Sequence, residues 1–250
     1  MNRLIVFIGI LVLAACKSNS EEHLTAQEIV DNSIEVSGGE LYQNSTRSFF
    51  FRNINYVSEN YKDKKVLKRI RISEVDTILD VYSNKEFKRF VNNNLIEVAD
   101  TMAVKYANSI NSVHYFANLP NGLNDPAVKK ELLGVVNLKG KIYHKIKVTF
   151  EQENGGDDFD DIYVYWFNVK SKVPDYLAYE FHTDGGGMRF REAFNERYIN
   201  GIRFVDYKNY KTKDLNNSIL KIDSLFAAGS LELLSKIELK NIKVSQGNYN

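Results

Sequence analysis

The sequence predicts a β-dominated α+β fold built from antiparallel strands. Two observations carry this. Segments with period-two alternation recur through most of the chain, and Asn- and Gly-rich turns too short for a crossover helix separate them. Helical spacing is confined to a few short stretches. With 250 residues, 44% of them hydrophobic, and 15 Phe and 15 Tyr, the chain can bury a sizeable core. Only 14 Gly and 3 Pro exclude collagen-like and broadly disordered readings.

The N-terminus reads as an address. Met1-Asn2-Arg3 is a short basic start, and Leu4 to Ala15 is an unbroken run of apolar or small residues. That run is too short for a membrane span, which needs about 20 residues, and fits the apolar region of a secretory signal. It ends in Leu13-Ala14-Ala15-Cys16, which resembles the bacterial lipobox. The resemblance implies a signal peptide over 1–15, a lipid anchor on Cys16 and a polar tether over 16–23. Lys17 follows the Cys where an Asp commonly retains lipoproteins at the inner membrane, so an outer-membrane address in a bacterial envelope is expected. Loss of 1–15 leaves 32 basic and 32 acidic residues.

From residue 24 onward the sequence reads as a single domain. Thr25 and Glu28 form a capping box, and Ala26, Ile29, Val30 and Ile34 make an apolar helical stripe that Gly38-Gly39 ends. Strands are expected over 48–57, 66–72, 77–82, 87–91 and 95–98. The 66–72 strand places Val66, Ile70 and Ile72 on one face and Leu67, Arg69 and Arg71 on the other. Asp100 to Phe116 returns to helical spacing, with Asp100 as its cap. A second short helix is expected from Asp125 and Pro126 to Gly134.

The second half reads as a β-meander. Ile142, His144, Ile146, Val148 and Phe150 alternate with Tyr143, Lys145, Lys147 and Thr149, and strands follow over 162–167, 176–183, 188–199 and 202–212. Asn200-Gly201 is the strongest hairpin signal in the chain, because both residues tolerate the positive φ of a type I′ turn. A helical or irregular stretch near Ile219 to Phe226 precedes a last strand over 236–244. With a simple two-residue turn, Asn195 lies opposite Asp206 and Arg191 opposite Tyr210. Both faces of this hairpin carry apolar residues, so the sheet must cover both or leave a concave surface for a helix or a ligand.

Chemistry-bearing patterns are few. A net charge of +1 argues against a nucleic-acid binder, and one Cys excludes a disulfide framework and a Cys-based zinc site. No pair among His23, His114, His144 and His182 has metal-ligand spacing on a common helix, and no nucleophile-elbow, Walker or zincin motif is present. Asp157-Asp158-Phe159-Asp160-Asp161 lacks the spacing of a calcium loop and reads as a solvated hairpin. Neither enzyme activity, nor metal, nor cofactor is expected. Arg189, Arg191, Glu180, His182 and Asp206 form the densest polar group on adjacent strands. Their ordinary role is cross-strand pairing. As a site, Arg189 and Arg191, with Asp206 and Tyr210, would contact an acidic head group.

Several segments carry a resemblance. His114-Tyr115-Phe116 to Pro120, Tyr163-Val164-Tyr165-Trp166, Asp175-Tyr176-Leu177-Ala178-Tyr179, Gly187-Met188-Arg189-Phe190-Arg191 and Gly201 to Tyr207 resemble an uncharacterised family of bacterial secreted or lipid-anchored proteins. The first helix, ending in Gly38-Gly39-Glu40-Leu41-Tyr42, and the long sheet after it resemble the LolA/LolB-type lipoprotein carriers at the level of element order. That resemblance implies an incomplete (half) β-barrel wrapped around a few helices, with an apolar cavity for acyl chains. The function it implies is an anchored binding module for a lipid, acylated or other apolar ligand; the alternatives are a structural role in an envelope assembly and an enzyme such as an aldolase.

Overall fold

Thr25 opens the first helix with its capping box in place. Its hydroxyl accepts from the Glu28 amide at 3.2 Å, and the Glu28 carboxylate accepts from the Thr25 amide at 2.7 Å. The computed structural model of the protein describes residues 24–61, 64–151, 160–182, 185–213 and 217–246, so Cys16 and its signal lie outside the described residues. Helix α1 (Ala26–Ser37) ends at Gly38, whose φ of 147° suits glycine. A Cβ at Gly38 would also lie 3.0 Å from the Tyr42 ring and 3.3 Å from Ile202.

Two seven-stranded antiparallel sheets follow. The first contains β1 (Ser45–Phe51), β2 (Ile54–Tyr61), β3 (Lys64–Ile72), β4 (Thr77–Ser83), β5 (Glu86–Val91) and β6 (Asn94–Ile96), with β14 (Lys240–Gln246) beside β1. The second runs from β7 (Val128–Leu138) through β8 (Lys141–Phe150), β9 (Ile162–Asn168), β10 (Pro174–Phe181), β11 (Gly187–Ile199) and β12 (Ile202–Lys211) to β13 (Glu232–Ile237). Only Glu238 and Leu239 separate β13 from β14, so the chain passes directly from the edge of one sheet to the edge of the other. The result is an unclosed wall of antiparallel strands with helices inside it, the predicted half-barrel class.

Four expectations need correction. The strand expected over 48–57 is the hairpin of β1 and β2, turned at Arg52 and Asn53 with φ of 49° and 62°. The segment expected as a helix from Asp125 to Gly134 is mostly the outer strand β7, preceded by a 3₁₀ turn over Asn121–Asn124. A short apolar run has no period long enough to choose, and pairing with β8 decides it. Gly134, expected as a helix stop, sits at φ 117° where the β7–β8 register shifts. The single last strand over 236–244 is two strands in different sheets. Asp100 lies inside the first turn of α2 (Asp100–Ala117), and Ala99 occupies the cap position without a side-chain bond. There the Asp100 carboxylate faces the positive end of the helix dipole.

Both faces of the second sheet are covered, as its two-sided apolar pattern demanded. The inner face presents Ile146, Val148, Tyr165, Phe167, Leu177, Val205 and Tyr207 to Ile29 and Val30 of α1 and to Leu119 and Leu123. On the outer face, Tyr143, Trp166, Tyr176 and Phe190 pack under Ile219, Ile222 and Phe226, and helix α3 (Ile222–Ala227) supplies the last two. Phe190 and Phe226 stack at 4.4 Å between centroids. A buried ion pair fixes α3: the Asp223 carboxylate accepts from Lys145 at 2.6 Å and from the Trp166 indole at 3.1 Å.

Helix α2 rests on the first sheet through polar contacts. Arg69 donates to Ser109 at 3.2 Å, and the Arg89 guanidinium lies 4.0 Å from the centre of the Tyr106 ring. Both arginines bind Asp80, which is fully buried on β4: Arg69 at 2.7 Å and Arg89 at 2.6 Å.

Candidate functional site

Alternation on β12 sends Val205, Tyr207 and Asn209 to the same side of the second sheet, toward α2. The helix does not fill the space there. A cleft of about 240 Å³ remains, walled by Val113, Phe116 and Ala117 of α2, Val205 and Tyr207 of β12, Ile237 at the end of β13, and Leu239 just beyond it. The other lining residues include Arg52 and Arg191, and no carboxylate lines it. The volume lies just below the roughly 300–1,000 Å³ of pockets for drug-sized ligands, so one short chain fits.

Arg191 is the unusual member of this wall. It is 8% exposed, and its guanidinium carbon lies 3.9 Å from the centre of the Phe116 ring and 5.1 Å from that of Tyr179. One terminal nitrogen donates to the Tyr179 hydroxyl at 3.0 Å, while its Nε–H has no partner among the described residues. A buried guanidinium held by rings and a neutral hydroxyl keeps its charge available for an acidic group.

The other expected contacts lie elsewhere. Arg189 turns back along its strand, donating to the Met188 carbonyl at 2.9 Å with its guanidinium 5.0 Å from the Phe181 centroid. Asp206 joins the strands near the sheet junction, accepting from Arg197 at 2.9 Å, Asn195 at 2.7 Å and the Leu239 amide at 2.9 Å. Tyr210 faces the outer layer, donating to Glu192 at 3.2 Å with its ring 5.3 Å from Phe226. One residue explains the displacement. The Asn200-Gly201 turn forms as expected, with φ of 47° and 86°, but Asn195 adopts φ 51° where the β11–β12 register shifts. Arg191 therefore pairs with Asn209, and Tyr210 with Phe190.

The sequence reading missed Arg52, Phe116 and Asn209 in the cleft, and a second, polar cavity of about 130 Å³ on the other side of α2. Arg47 and His114 line that cavity. Arg47 shares the inward face of β1 with Ser45 and Phe49, and this parity was the available signal. Asp160, Asp161 and His182 come together with ligand atoms within 4.8 Å of one another, but Asp160 and His182 face solvent, as in a solvated turn. The rest of that acidic run lies outside the described residues.

His114 carries a testable electrostatic consequence. Burial pushes its pKa down to about 4, outweighing a 3.2 Å hydrogen bond from Nε2 to the Lys68 carbonyl. The folded protein therefore keeps the ring neutral while the unfolded chain protonates near pH 6.5. The unfolded state binds the extra proton between these values, so stability falls as pH drops through that window. The loss is about 3 kcal/mol by pH 4. Urea melts at pH 7, 5.5 and 4.5 should show this slope, and His114→Gln should flatten it. Equal slopes would refute the assignment.

An unclosed antiparallel half-barrel, with helices inside and an acid-free cleft beside one of them, defines the structural class. A family model matches residues 55–238, and the chain belongs to that family, described as a family of unknown function (DUF6503). The structure is similar to a LolA superfamily protein from Nitrosomonas europaea, at 12% identity and a TM-score of 0.46, covering 89% of this chain and 92% of that one. It is also similar to a DUF1329 family protein from Desulfovibrio piger, at 9% identity and a TM-score of 0.47, covering 88% and 92%. No curated protein matches the sequence.

Proposed function

We propose that this protein is an envelope-anchored binding module for an acidic amphiphile with one short apolar chain. The buried Arg191 guanidinium, whose Nε–H has no partner and whose apolar cleft has no carboxylate in its lining among the described residues, carries the reading. The rings and aliphatic groups of the wall take the chain, each buried methylene contributing about 0.8 kcal/mol. Arg191 takes the acidic head, and Arg52 adds a second positive charge at the lining. No catalytic step belongs to this reading. Residues 24–250 act as one unit, and the lipobox-like Cys16 supplies the acyl anchor in the outer membrane. Among the described residues, no helix is long and apolar enough to cross a membrane.

Calorimetric titration with decanoate and with decanol tests the site. The protein should bind decanoate, and Arg191→Met should weaken it by about tenfold while leaving decanol nearly unchanged. Absence of decanoate binding, or equal losses for both probes, would overturn the assignment. For the anchor, labelled palmitate should enter the wild type and not Cys16→Ala.

A further inference from the structure

We propose that the second cavity is a binding site for a small oxyanion that also carries a hydroxyl proton, of the hydrogen phosphate or short hydroxy-acid type. It lies among β1, β2, β3, the C-terminal half of α2, the segment over 121–128 that leads into β7, and Phe150 of β8, and shares no lining residue with the apolar cleft. Its volume of about 130 Å³ accommodates phosphate or a two-carbon hydroxy acid and is far more than one water needs.

Arg47 gives the site its charge. It is 2% exposed, and one terminal nitrogen donates to the Tyr42 carbonyl at 2.8 Å and to the Ser45 hydroxyl at 3.0 Å. Its Nε–H is unpaired, and among the described residues no carboxylate lies within ion-pair distance of it. Burial pushes its pKa down to about 10, which still leaves a full charge at neutral pH. A buried cation without a counter-charge is costly, and an anion in the adjoining cavity removes that cost. Lys65, on the same wall, adds a second cation.

The neutral groups define the partner further. Among the described residues the buried Ser58 hydroxyl has no partner, and it can donate. His114 uses Nε2 to donate to a carbonyl, so its unpaired Nδ1 is an acceptor in the neutral ring. Asn118 donates through Nδ2 to the His114 carbonyl at 2.7 Å, which leaves its unpaired Oδ1 as a second acceptor. A bare anion satisfies only the donors. An oxyanion with a hydroxyl satisfies both kinds. Asp125 is the one acid on this wall; burial pushes its carboxyl up, and the charges of Lys65 and Lys130 act against that push.

Titration of the full chain with inorganic phosphate and with glycolate tests this, with chloride at matched ionic strength as the control. The readouts are the ¹H–¹⁵N signals of the arginine Nε–H groups and the thermal midpoint. Phosphate, glycolate or both should shift the Arg47 signal saturably and raise the midpoint, and the tighter of the two identifies the source. Lys65→Met, at an exposed position, and Ser58→Ala should each weaken binding about fivefold. A shift equal to that with chloride, no shift with either probe, or no effect of both variants would overturn the proposal. A shift confined to the Arg191 signal would place the ion in the apolar cleft, overturning this site and leaving the amphiphile reading intact.

Discussion

Asp80→Ala should lower the thermal midpoint by roughly 10 °C. Removing this carboxylate leaves the Arg69 and Arg89 guanidinium groups beneath α2 without their shared partner, at side-chain exposures of 8% and 14%. Breaking one side of a buried ion pair costs about 3–5 kcal/mol, and a chain of this size loses about 2–4 °C per kcal/mol. The damage should extend to α2, because Arg69 holds Ser109 and Arg89 stacks on Tyr106. Circular dichroism melts test this. A shift below 2 °C would mean that both arginines find water without disturbing the helix.

The same carboxylate has an acid limb of its own. Burial alone would push Asp80 up, but hydrogen bonds from Arg89 and Arg69, together with their charges, hold it below the usual carboxylate value. A depressed folded-state value means that its stabilisation is complete above the unfolded value of 3.8 and disappears as pH falls further. This lies below the His114 window, so acid unfolding should show two successive slopes.

Asp223→Ala should be comparably damaging on the outer layer. It strands the Lys145 ammonium, whose side chain is 9% exposed, and removes the acceptor of the Trp166 indole. A loss of about 3–5 kcal/mol is expected, with α3 loosened. Trp166 is the chain's single tryptophan, so its fluorescence reports this layer directly. Emission should move to longer wavelength in Asp223→Ala and return in the double variant Lys145→Met/Asp223→Leu, where an apolar pair replaces the charges. A double variant no better than the single one would show that the acid does more than neutralise Lys145.

Much of the architecture was legible in the sequence because turn and cap chemistry is local. Thr25 with Glu28 and Asn200 with Gly201 each specify a backbone conformation from adjacent residues. Apolar residues on both faces of the hairpin turned at Asn200-Gly201 likewise called for cover on both sides, and Ile222 and Phe226 provide the outer one over Phe190. What escaped depends on distant partners. The Asp125 to Gly134 stretch chose strand over helix because β8 pairs with it, and no local period records that choice. At the candidate site the error was one register step. Asn195 takes a left-handed conformation within β11, and that step separates Arg191 from Tyr210. Arg191 could be singled out as a cationic contact, but Phe116 beneath it comes from a helix remote in sequence.

The junction at Glu238 and Leu239 bears on the width of the cleft. A closed cylinder has its girth dictated by strand number and stagger, whereas this wall ends in two free margins, β6 and β7. Where the two sheets meet, a clasp holds Leu239, whose amide donates to Asp206 and whose carbonyl accepts from Arg197 at 2.8 Å. Leu239 also lines the cleft. Loosening that clasp would free Leu239 without sacrificing a ladder of strand pairing, so Asp206 and Arg197 bear on the width of the cleft from outside its lining.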